Sequence, residues 1–378
     1  MTEAENERLT RVGPGTPGGE MMRRYWIPVG ISEELTDLPK LVRVLGEELV
    51  LFRDTKGRVG LLEKHCSHRG TSLEYGRVEE RGIRCCYHGW LYDIDGHCLD
   101  QPLEPPDSNF KKTIRHKAYP CRELGGLAFA YMGPVEKISL LPNYSFLVRQ
   151  DGIRKITVRT GEGNYLQRSE NHADTMHTAI LHEHQFGMDF YEIPDCTFTP
   201  AEYGMIAVAD RAGHEPGTII RRTNHFMVPM LQTTGSMRRE HGVECAQRAA
   251  WKVPIDDTHT RTFELFFIPF GKDGKPTEEV FGSGVVNRAS VDRRGVRSYE
   301  ESQRDPGDEE AQMSQGPIQD RTKEHLGSSD RGVIIWRNIL KKAIDAVERG
   351  EDPPGIIRDP GKNNLICVDA KDELIQVN

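Results

Sequence analysis

Two short segments, each pairing a cysteine with a histidine, place the strongest constraint on how this chain can fold. The first is Cys66-Ser67-His68, and the second, after sixteen intervening residues, is Cys85-Cys86-Tyr87-His88. Each segment offers one thiolate and one imidazole, so a shared metal site requires two loops to meet at one point. Gly70 and Gly89 follow the two segments and suit loops that must bend tightly.

The ligand count indicates which metal group these loops hold. A Rieske [2Fe-2S] centre needs two cysteines and two histidines, whereas zinc sites usually place like ligands together in C-x-x-C and H-x-x-H pairs. We therefore predict a Rieske cluster bound by Cys66, His68, Cys85 and His88. The patterns C-x-H and C-x-x-H-G-W resemble the Rieske motif, with Cys86 at a position where proline is common. This leaves two candidate thiols in the second segment, of which only Cys85 has the two-residue gap to His88.

Composition excludes several other classes of protein. The 378 residues carry a net charge of -8, which argues against a dedicated nucleic-acid binder. No apolar run approaches the roughly 20 residues that cross a bilayer, and residues 1–11 lack the apolar core of a signal peptide. We expect a cytoplasmic protein without a membrane partner, in which the eight cysteines stay reduced.

Hydrophobic patterning predicts a β-rich N-terminal half. Residues 41–45 and 49–52 read as strands, residues 59–62 form another short apolar run, and Asp95-Gly96 marks a hairpin. An opening helical stretch precedes these strands and is interrupted at residues 12–18 by glycine and proline.

The C-terminal half combines helices with further strands. Residues 162–184 have helical character, and residues 196–270 are rich in strands. The acidic segment 299–312 is apolar-poor and reads as a solvated loop. After the capping residues 328–330, Val333, Trp336, Leu340, Ala343 and Val347 recur at helical spacing and predict a long amphipathic helix.

A second candidate metal motif, D-x-x-H-x-x-x-x-H, is formed by Asp174, His177 and His182. Two histidines and a carboxylate make the facial triad of non-haem Fe(II) oxygenases, which leaves coordination positions open for O2. On an ideal helix His177 and His182 lie about 140° apart, so the helix must distort or end between them. His172 and His184 remain alternative ligands, and the pattern alone is also typical of a surface histidine pair.

The order and separation of these two motifs resemble the α subunits of the ring-hydroxylating Rieske oxygenase family. The segments 11–17, 23–26 and 316–327 look like its phthalate-dioxygenase-like branch. The resemblance implies an α+β fold in which a Rieske-type β domain is inserted in a helix-grip catalytic domain. The implied parts are an N-terminal helical segment, the Rieske domain and the mononuclear iron domain, at residues 1–29, 30–135 and 136–378. It also implies a homotrimer or hexamer.

The resemblance further implies a third iron ligand, a carboxylate shortly before residue 316. Counting back points to Asp308, with Asp305 and Glu309 as rivals. In the family, the aspartate matching Asp174 bridges the two metal centres across a subunit boundary. The matching partners here are His88 of one chain and His177 of its neighbour.

The function implied is that of a terminal oxygenase, which hydroxylates or dihydroxylates a small, carboxylated aromatic compound with Fe(II), O2 and the cluster. Electrons come from NAD(P)H indirectly, through a separate reductase or ferredoxin. An O-demethylating or ether-cleaving monooxygenase is an alternative, and so is an electron-transfer protein without oxygenase activity. A carboxylated substrate calls for a guanidinium, but Arg211, Arg221 and Arg222 are more simply read as surface residues.

Overall fold

The computed structural model describes residues 1–182, 192–213, 215–234, 247–277 and 297–377. Contacts between residues divide the chain into two compact units. One consists of Met1–Met22 together with Pro142–Asn378, and the other is Arg23–Leu141. One unit combines helices with an antiparallel sheet and the other is built from antiparallel sheets, so the predicted α+β class is confirmed.

The unit Arg23–Leu141 contains three small antiparallel sheets, ordered β1-β11-β10, β2-β3-β4-β9 and β5-β6-β7-β8. The strands are β1 Trp26–Ile31, β2 Lys40–Val44, β3 Glu47–Arg53, β4 Val59–Glu63, β5 Arg77–Glu79, β6 Gly82–Arg84, β7 Leu91–Tyr92, β8 Cys98–Asp100, β9 Ala118–Tyr119, β10 Cys121–Leu124 and β11 Leu127–Tyr131. The two predicted strands and the short apolar run correspond to β2, β3 and β4, and the predicted hairpin joins β7 to β8.

The two cysteines of the cluster motif belong to the apolar core of this unit. Cys66 and Cys85 pack in one cluster with Phe52, Trp90 and Tyr92. The ligand loops are therefore anchored at their cysteine ends by hydrophobic burial, which fixes where each loop leaves the core.

The other unit is built on one eight-stranded antiparallel sheet with the order β12-β18-β17-β16-β15-β14-β13, to which β19 adds beside β15. Its strands are β12 Gly152–Glu162, β13 Asp195–Ala201, β14 Gly204–Ala212, β15 Thr218–Met227, β16 Leu231–Thr234, β17 Gln247–Pro254, β18 His259–Pro269 and β19 Lys371–Gln376. Its helices in the described residues are α1 Glu3–Thr10, α2 Pro17–Met22, α3 Ser145–Val148, α4 Tyr165–Ala173, α5 Thr178–Leu181, α6 Tyr299–Arg304, α7 Asp308–Met313 and α8 Arg331–Glu348.

One face of this sheet lies under α4 and α8, and we call it the helix-side face. Phe226 of β15 contacts Trp336 of α8, with ring centroids 5.8 Å apart. The register across β15 to β18 and the two-residue alternation of strands give the other members of the face. They include Asn224, Phe226, Gln232, Arg248, Ala250, Lys252 and Glu264.

The predicted C-terminal amphipathic helix is confirmed as α8, but its expected cap is not observed. Trp336, Leu340 and Ala343 are buried, as the spacing predicted. Asp330 precedes the helix without a side-chain capping bond, because its carboxylate accepts instead from the backbone N–H of Gly327 at 2.7 Å.

The acidic segment 299–312 was predicted as a solvated loop, and this prediction is wrong. It forms α6 and α7. Ser298 caps α6 through a reciprocal bond with Glu301, and Arg168 of α4 holds Glu309 of α7 with two hydrogen bonds of 2.7 and 2.8 Å. The capping box of Ser298 and Glu301 is a local signal that the composition argument missed, whereas Arg168 and Glu309 lie 141 residues apart and could not be paired from composition.

The helical prediction for residues 162–184 is confirmed in part. Residues up to Glu162 belong to β12, α4 and α5 follow, and residues beyond 182 lie outside the described part of the chain. Among the described residues, no helix combines the length and apolar character needed to span a membrane.

Candidate metal centres

The two Cys-His segments form matching loops. In the first, the Gly70 N–H donates to the carbonyl oxygen of Cys66 at 2.9 Å, and in the second the Gly89 N–H donates to that of Cys85 at 3.1 Å. Both glycines have positive φ, +75° and +73°, which a residue with a side chain adopts only with strain. The predicted role of the two glycines in tight turns is confirmed.

The imidazoles lie together at the tips of these loops. The rings of His68 and His88 are 4.5 Å apart between centroids and meet edge to face. Trp90 stacks on His68 at 4.5 Å and fixes the orientation of that ring. Cys66 and Cys85 are each only 3% exposed, whereas His68 is exposed. Two buried thiols below two accessible imidazoles match the donor set of a Rieske cluster.

Burial, hydrogen bonds and nearby charges shift the pKa values of two of these ligands. Burial raises the pKa of the Cys66 thiol, while a 3.2 Å hydrogen bond with the Tyr92 hydroxyl acts in the opposite direction. Desolvation and the charges of His68 and Arg69 lower the pKa of His88, which favours the neutral imidazole that a metal requires. Cys86, the alternative thiol, is exposed.

The helix of the second motif ends before His182, as predicted, because α5 stops at Leu181 and His182 leaves helical geometry with φ -107° and ψ 8°; a further break precedes His177. Helix α4 ends at Ala173, Asp174 leaves helical geometry with ψ 89°, and the short helix α5 lies between the two histidines. The Asp174 carboxylate accepts backbone bonds from Met176 and His177 at 3.1 and 3.3 Å, which shapes this turn. The chain therefore turns both imidazoles towards one point, with ring centroids 5.3 Å apart.

Asp308 completes a cluster of three potential ligands. One of its carboxylate oxygens lies 3.6 Å from Nε2 of His177 and 3.3 Å from Nε2 of His182. The ligand atoms of the three residues all lie within 4.8 Å of one another. Neighbouring ligands of an octahedral ion are about 3 Å apart, so two imidazoles and a carboxylate at these spacings fit a facial triad for Fe(II).

The described alternative iron ligands do not join the cluster of His177, His182 and Asp308. Asp305 is exposed and lies 3.5 Å from Arg297, and Glu309 is held by Arg168. His172 does not join the ligand cluster, and the alternative ligand His184 lies outside the described residues.

Charges within the triad favour an ionised carboxylate. Burial acts to raise the pKa of Asp308, but the neighbouring imidazoles of His177 and His182 outweigh it and hold that pKa well below its ordinary value. Asn171 adds a further bond from its Nδ2 to Asp308 at 3.0 Å. Asn171 was missed in the sequence, although its place near the end of α4, six residues before His177, could have suggested it.

The contact between Asp174 and His177 differs from the expected one. Nδ1 of His177 donates to the main-chain carbonyl of Asp174, and the Asp174 carboxylate is 3.8 Å from that nitrogen. Within one chain the carbonyl therefore orients the imidazole and leaves Nε2 facing Asp308. The carboxylate side chain stays 32% exposed.

The three arginines considered for a carboxylate subsite already contact side chains. Arg211 donates to Thr178 at 2.9 Å. Arg221 and Arg222 form two-bonded ion pairs with Asp210 and Asp372.

A buried ion network holds α4, the helix that leads into the triad. Glu170 accepts from Arg321 at 2.9 Å and from Arg337 of α8 at 2.5 Å. Arg337 also donates to Glu324 at 2.6 Å, and Trp336 donates to Ser169 at 2.9 Å. The network ties α4 to α8 and to the segment that precedes it.

We predict that Glu170→Gln lowers the thermal unfolding midpoint by roughly 6 °C or more. Removing one partner of a buried pair costs about 3 kcal/mol, and each kcal/mol is worth about 2–4 °C in a unit of this size. Calorimetry would measure the shift. Glu351→Gln is the matched control, because Glu351 forms an exposed pair with Arg349 and should leave the midpoint nearly unchanged. Equal midpoints for both variants would contradict the role given to the network.

Comparisons with known proteins agree with this geometry. Residues 25–120 match the Rieske [2Fe-2S] domain family. The chain is 40% identical to the tert-butanol monooxygenase / tert-amyl alcohol desaturase oxygenase subunit of Aquincola tertiaricarbonis, over 93% of this chain and 78% of that protein. It is 39% identical to the phenoxybenzoate dioxygenase subunit alpha of Ectopseudomonas oleovorans, over 92% and 87%.

A solved structure extends the comparison to the fold. The crystal structure of dicamba monooxygenase bound to dicamba aligns with a TM-score of 0.68 at 17% identity, over 87% of this chain and 99% of that one. The protein thus carries a Rieske iron-sulfur domain joined to an oxygenase fold. It belongs to the family of Rieske non-haem iron oxygenase α subunits, so its cofactors are a Rieske [2Fe-2S] cluster and a mononuclear iron, and O2 is its co-substrate.

Proposed function

We propose that this chain is a cytoplasmic terminal oxygenase that hydroxylates a small aromatic compound. In this proposal Arg23–Leu141 is the cluster-bearing unit, and residues 1–22 with 142–378 form the catalytic unit. The observation that carries the proposal is the convergence of His177, His182 and Asp308 in a chain that also has the Rieske loops. A pure electron carrier has no need of the second set of ligands.

The triad residues would hold Fe(II), and Cys66, His68, Cys85 and His88 would hold the cluster. Iron bound by two histidines and a carboxylate supplies open positions for O2 and the oxidising chemistry itself. The chain's own contribution is orientation. The Asp174 carbonyl fixes the tautomer of His177, and Asn171 holds the Asp308 carboxylate on the side of the two imidazoles.

We also propose that Asp174 links the two centres between protomers of a trimer or hexamer. Its carboxylate is partly exposed and lies beside His177, so it is free to accept a hydrogen bond from His88 of a neighbouring chain. Such a carboxylate would orient a metal-bound imidazole at each centre, which suits a path for electrons and protons.

The partner and the substrate follow from the related proteins. Both named relatives are subunits, and the first is called an oxygenase subunit, so we propose that a separate reductase or ferredoxin delivers electrons that come from NAD(P)H. The phenoxybenzoate enzyme supports an aromatic carboxylate as substrate. The first relative is named for a tertiary alcohol and for monooxygenation, which makes insertion of one oxygen atom the second candidate.

Metal analysis and oxygen uptake test this proposal together. Purified protein should contain one iron per chain beyond the two irons of the cluster. With a generic reductase, it should consume O2 when phthalates, hydroxybenzoates, phenoxybenzoates or aryl sulfonates are added. Protein with cluster iron alone, and no substrate-dependent O2 uptake, would instead establish an electron carrier.

A further inference from the structure

A buried lysine on the helix-side face has no charge partner in the described part of the chain. Lys252 of β17 is 5% exposed, and no described residue forms a hydrogen bond or ion pair with its Nζ. Buried ammonium groups are normally paired, because desolvating an isolated charge costs several kcal/mol. A position that keeps an unpaired lysine in the interior therefore calls for a ligand.

The acidic groups near Lys252 are already engaged by arginines. Glu264 is fully buried, and it accepts from Nε of Arg248 at 3.0 Å and lies 3.1 Å from Arg159. Glu309 is taken by both terminal nitrogens of Arg168. Among the described residues around Lys252, three guanidinium groups thus share two carboxylates, and protonating the lysine adds to this excess of positive charge.

This excess of positive charge changes the pKa of Lys252. Burial lowers the pKa of Lys252 to about 7; the carboxylate of Glu264 opposes that fall, and the charges of Arg248, Arg159 and Arg168 add to it. A bound anion would reverse the imbalance, because a carboxylate next to the ammonium stabilises its charged form.

Lys252 and the metal triad share one interior region. His172 of α4 interacts electrostatically with Lys252 and Arg248 and also with Asp308 and His177. Helix α4 packs directly on β17. A group anchored at Lys252 would therefore lie on the side of the sheet that faces the triad.

Other polar atoms in this region also lack partners. Nδ1 of His172, Nε2 of Gln232 and Oδ1 of Asn224 are buried, and none of them has a hydrogen-bond partner in the described part of the chain. Gln232 and Asn224 lie on the same helix-side face as Lys252. Unpaired donors and acceptors are rare in protein interiors, and their concentration here is typical of a site that a polar ligand completes.

We propose that Lys252 is the anchoring residue for a carboxylate group of the substrate, with Gln232 and His172 as neighbouring hydrogen-bonding groups. This inference rests on the proposed oxygenase function and names the residue that recognises the carboxylate of its aromatic substrate. The arginines of the region are poorer candidates, because Arg248 and Arg159 are already bound to Glu264. The ammonium of Lys252 has no charge partner among the described residues, so it is available to pair with the ligand.

Lys252→Met in the holoenzyme tests the anchor, since methionine keeps most of the length and removes the charge. The probes are 3-phenoxybenzoate and its methyl ester, and calorimetry measures their Kd alongside kcat/KM from oxygen uptake. We expect the Kd for the carboxylate to rise about thirtyfold or more, because removing one partner of a buried charge pair costs at least about 2 kcal/mol. The ester should change less than about twofold.

Lys371→Met is the matched control, because Lys371 is an exposed lysine on β19 of the same sheet. It should bind both probes as the unaltered protein does. A ligand-free stability measurement separates binding from a structural role. Removing an unpaired buried charge should keep or raise the thermal midpoint of Lys252→Met, whereas loss of a structural contact would lower it.

If Lys252→Met is poorly folded, Lys252→Gln provides a second variant in which the loss of carboxylate binding can be measured. Unchanged carboxylate binding in a folded Lys252 variant, or a wild-type preference for the ester, would overturn the anchor while the oxygenase function stands. By contrast, absence of iron-dependent oxygen uptake with every compound would overturn the proposed function itself. In that case the calorimetric Kd for the carboxylate would still test whether Lys252 binds it.

Discussion

Asp308→Ala is expected to reduce substrate-dependent oxygen consumption by more than about a hundredfold while the visible spectrum of the cluster is retained. Even the outer partners of a metal ligand are worth about ten- to a hundredfold in affinity or activity, so loss of the ligand should exceed that. The physical reason is the position of Asp308, whose carboxylate oxygen lies 3.3 Å from His182 and 3.6 Å from His177. Iron analysis should show loss of the mononuclear iron alone.

The neighbouring acidic residue provides the control for this prediction. Asp305→Ala removes the same charge three residues earlier, from an exposed side chain beside Arg297. It should keep both the iron content and the activity. If Asp305→Ala lost the mononuclear iron and Asp308→Ala kept it, the proposed ligand set would have to be redrawn.

The same residues show what a sequence can and cannot reveal about such a site. Cysteine and histidine ligands that follow one another closely are local features, so Cys66, His68, Cys85 and His88 could be selected from spacing alone. His177 and His182 could also be paired, together with the helix break between them, because 3.6 residues per turn forbids a straight helix. Local chemistry and backbone geometry are enough for these assignments.

Residues whose role depends on tertiary contacts could not be ranked in the same way. The choice among Asp305, Asp308 and Glu309 was open, because the three lie in one acidic run. It is the bidentate bond of Arg168 to Glu309 that orients α7 and turns Asp308 to the histidines. That bond joins residues far apart in sequence. The same contact explains why an apolar-poor segment is helical.

The interior charge around Lys252 was invisible to pattern analysis for a related reason. Strand β17 contains Arg248 and Lys252 within an otherwise buried run, and such residues usually indicate an exposed edge. Only the pairing of β17 with β18, which brings the buried Glu264 beside them, shows that Lys252 is interior and that Arg248 is partly buried. Burial of charge depends on what packs above the strand.

Cys85→Ala is expected to abolish the cluster absorbance and, with it, all reductase-dependent turnover, while the mononuclear site keeps its capacity for metal. Cys85 is buried in the apolar core, and its carbonyl closes the ligand loop with Gly89, so no neighbouring thiol can replace it without unfolding the loop. Visible spectroscopy, sulfide analysis and iron content would measure the effect. Binding of Fe(II) to His177, His182 and Asp308 should survive, because those residues belong to the other compact unit.

Cys86→Ala makes the adjacent position the control. The thiol of Cys86 is exposed, and Cys86 lies one residue closer to His88 than Cys85 does. We therefore expect that Cys86 is not a ligand of the cluster. This variant should keep the spectrum, the sulfide and the turnover. If Cys86→Ala lost the cluster and Cys85→Ala kept it, Cys86 would be the ligand. Burial of the thiol would then be a poor guide to ligation. Because the two cysteines differ in burial but not in chemistry, the pair isolates the contribution of the fold to the choice of ligand.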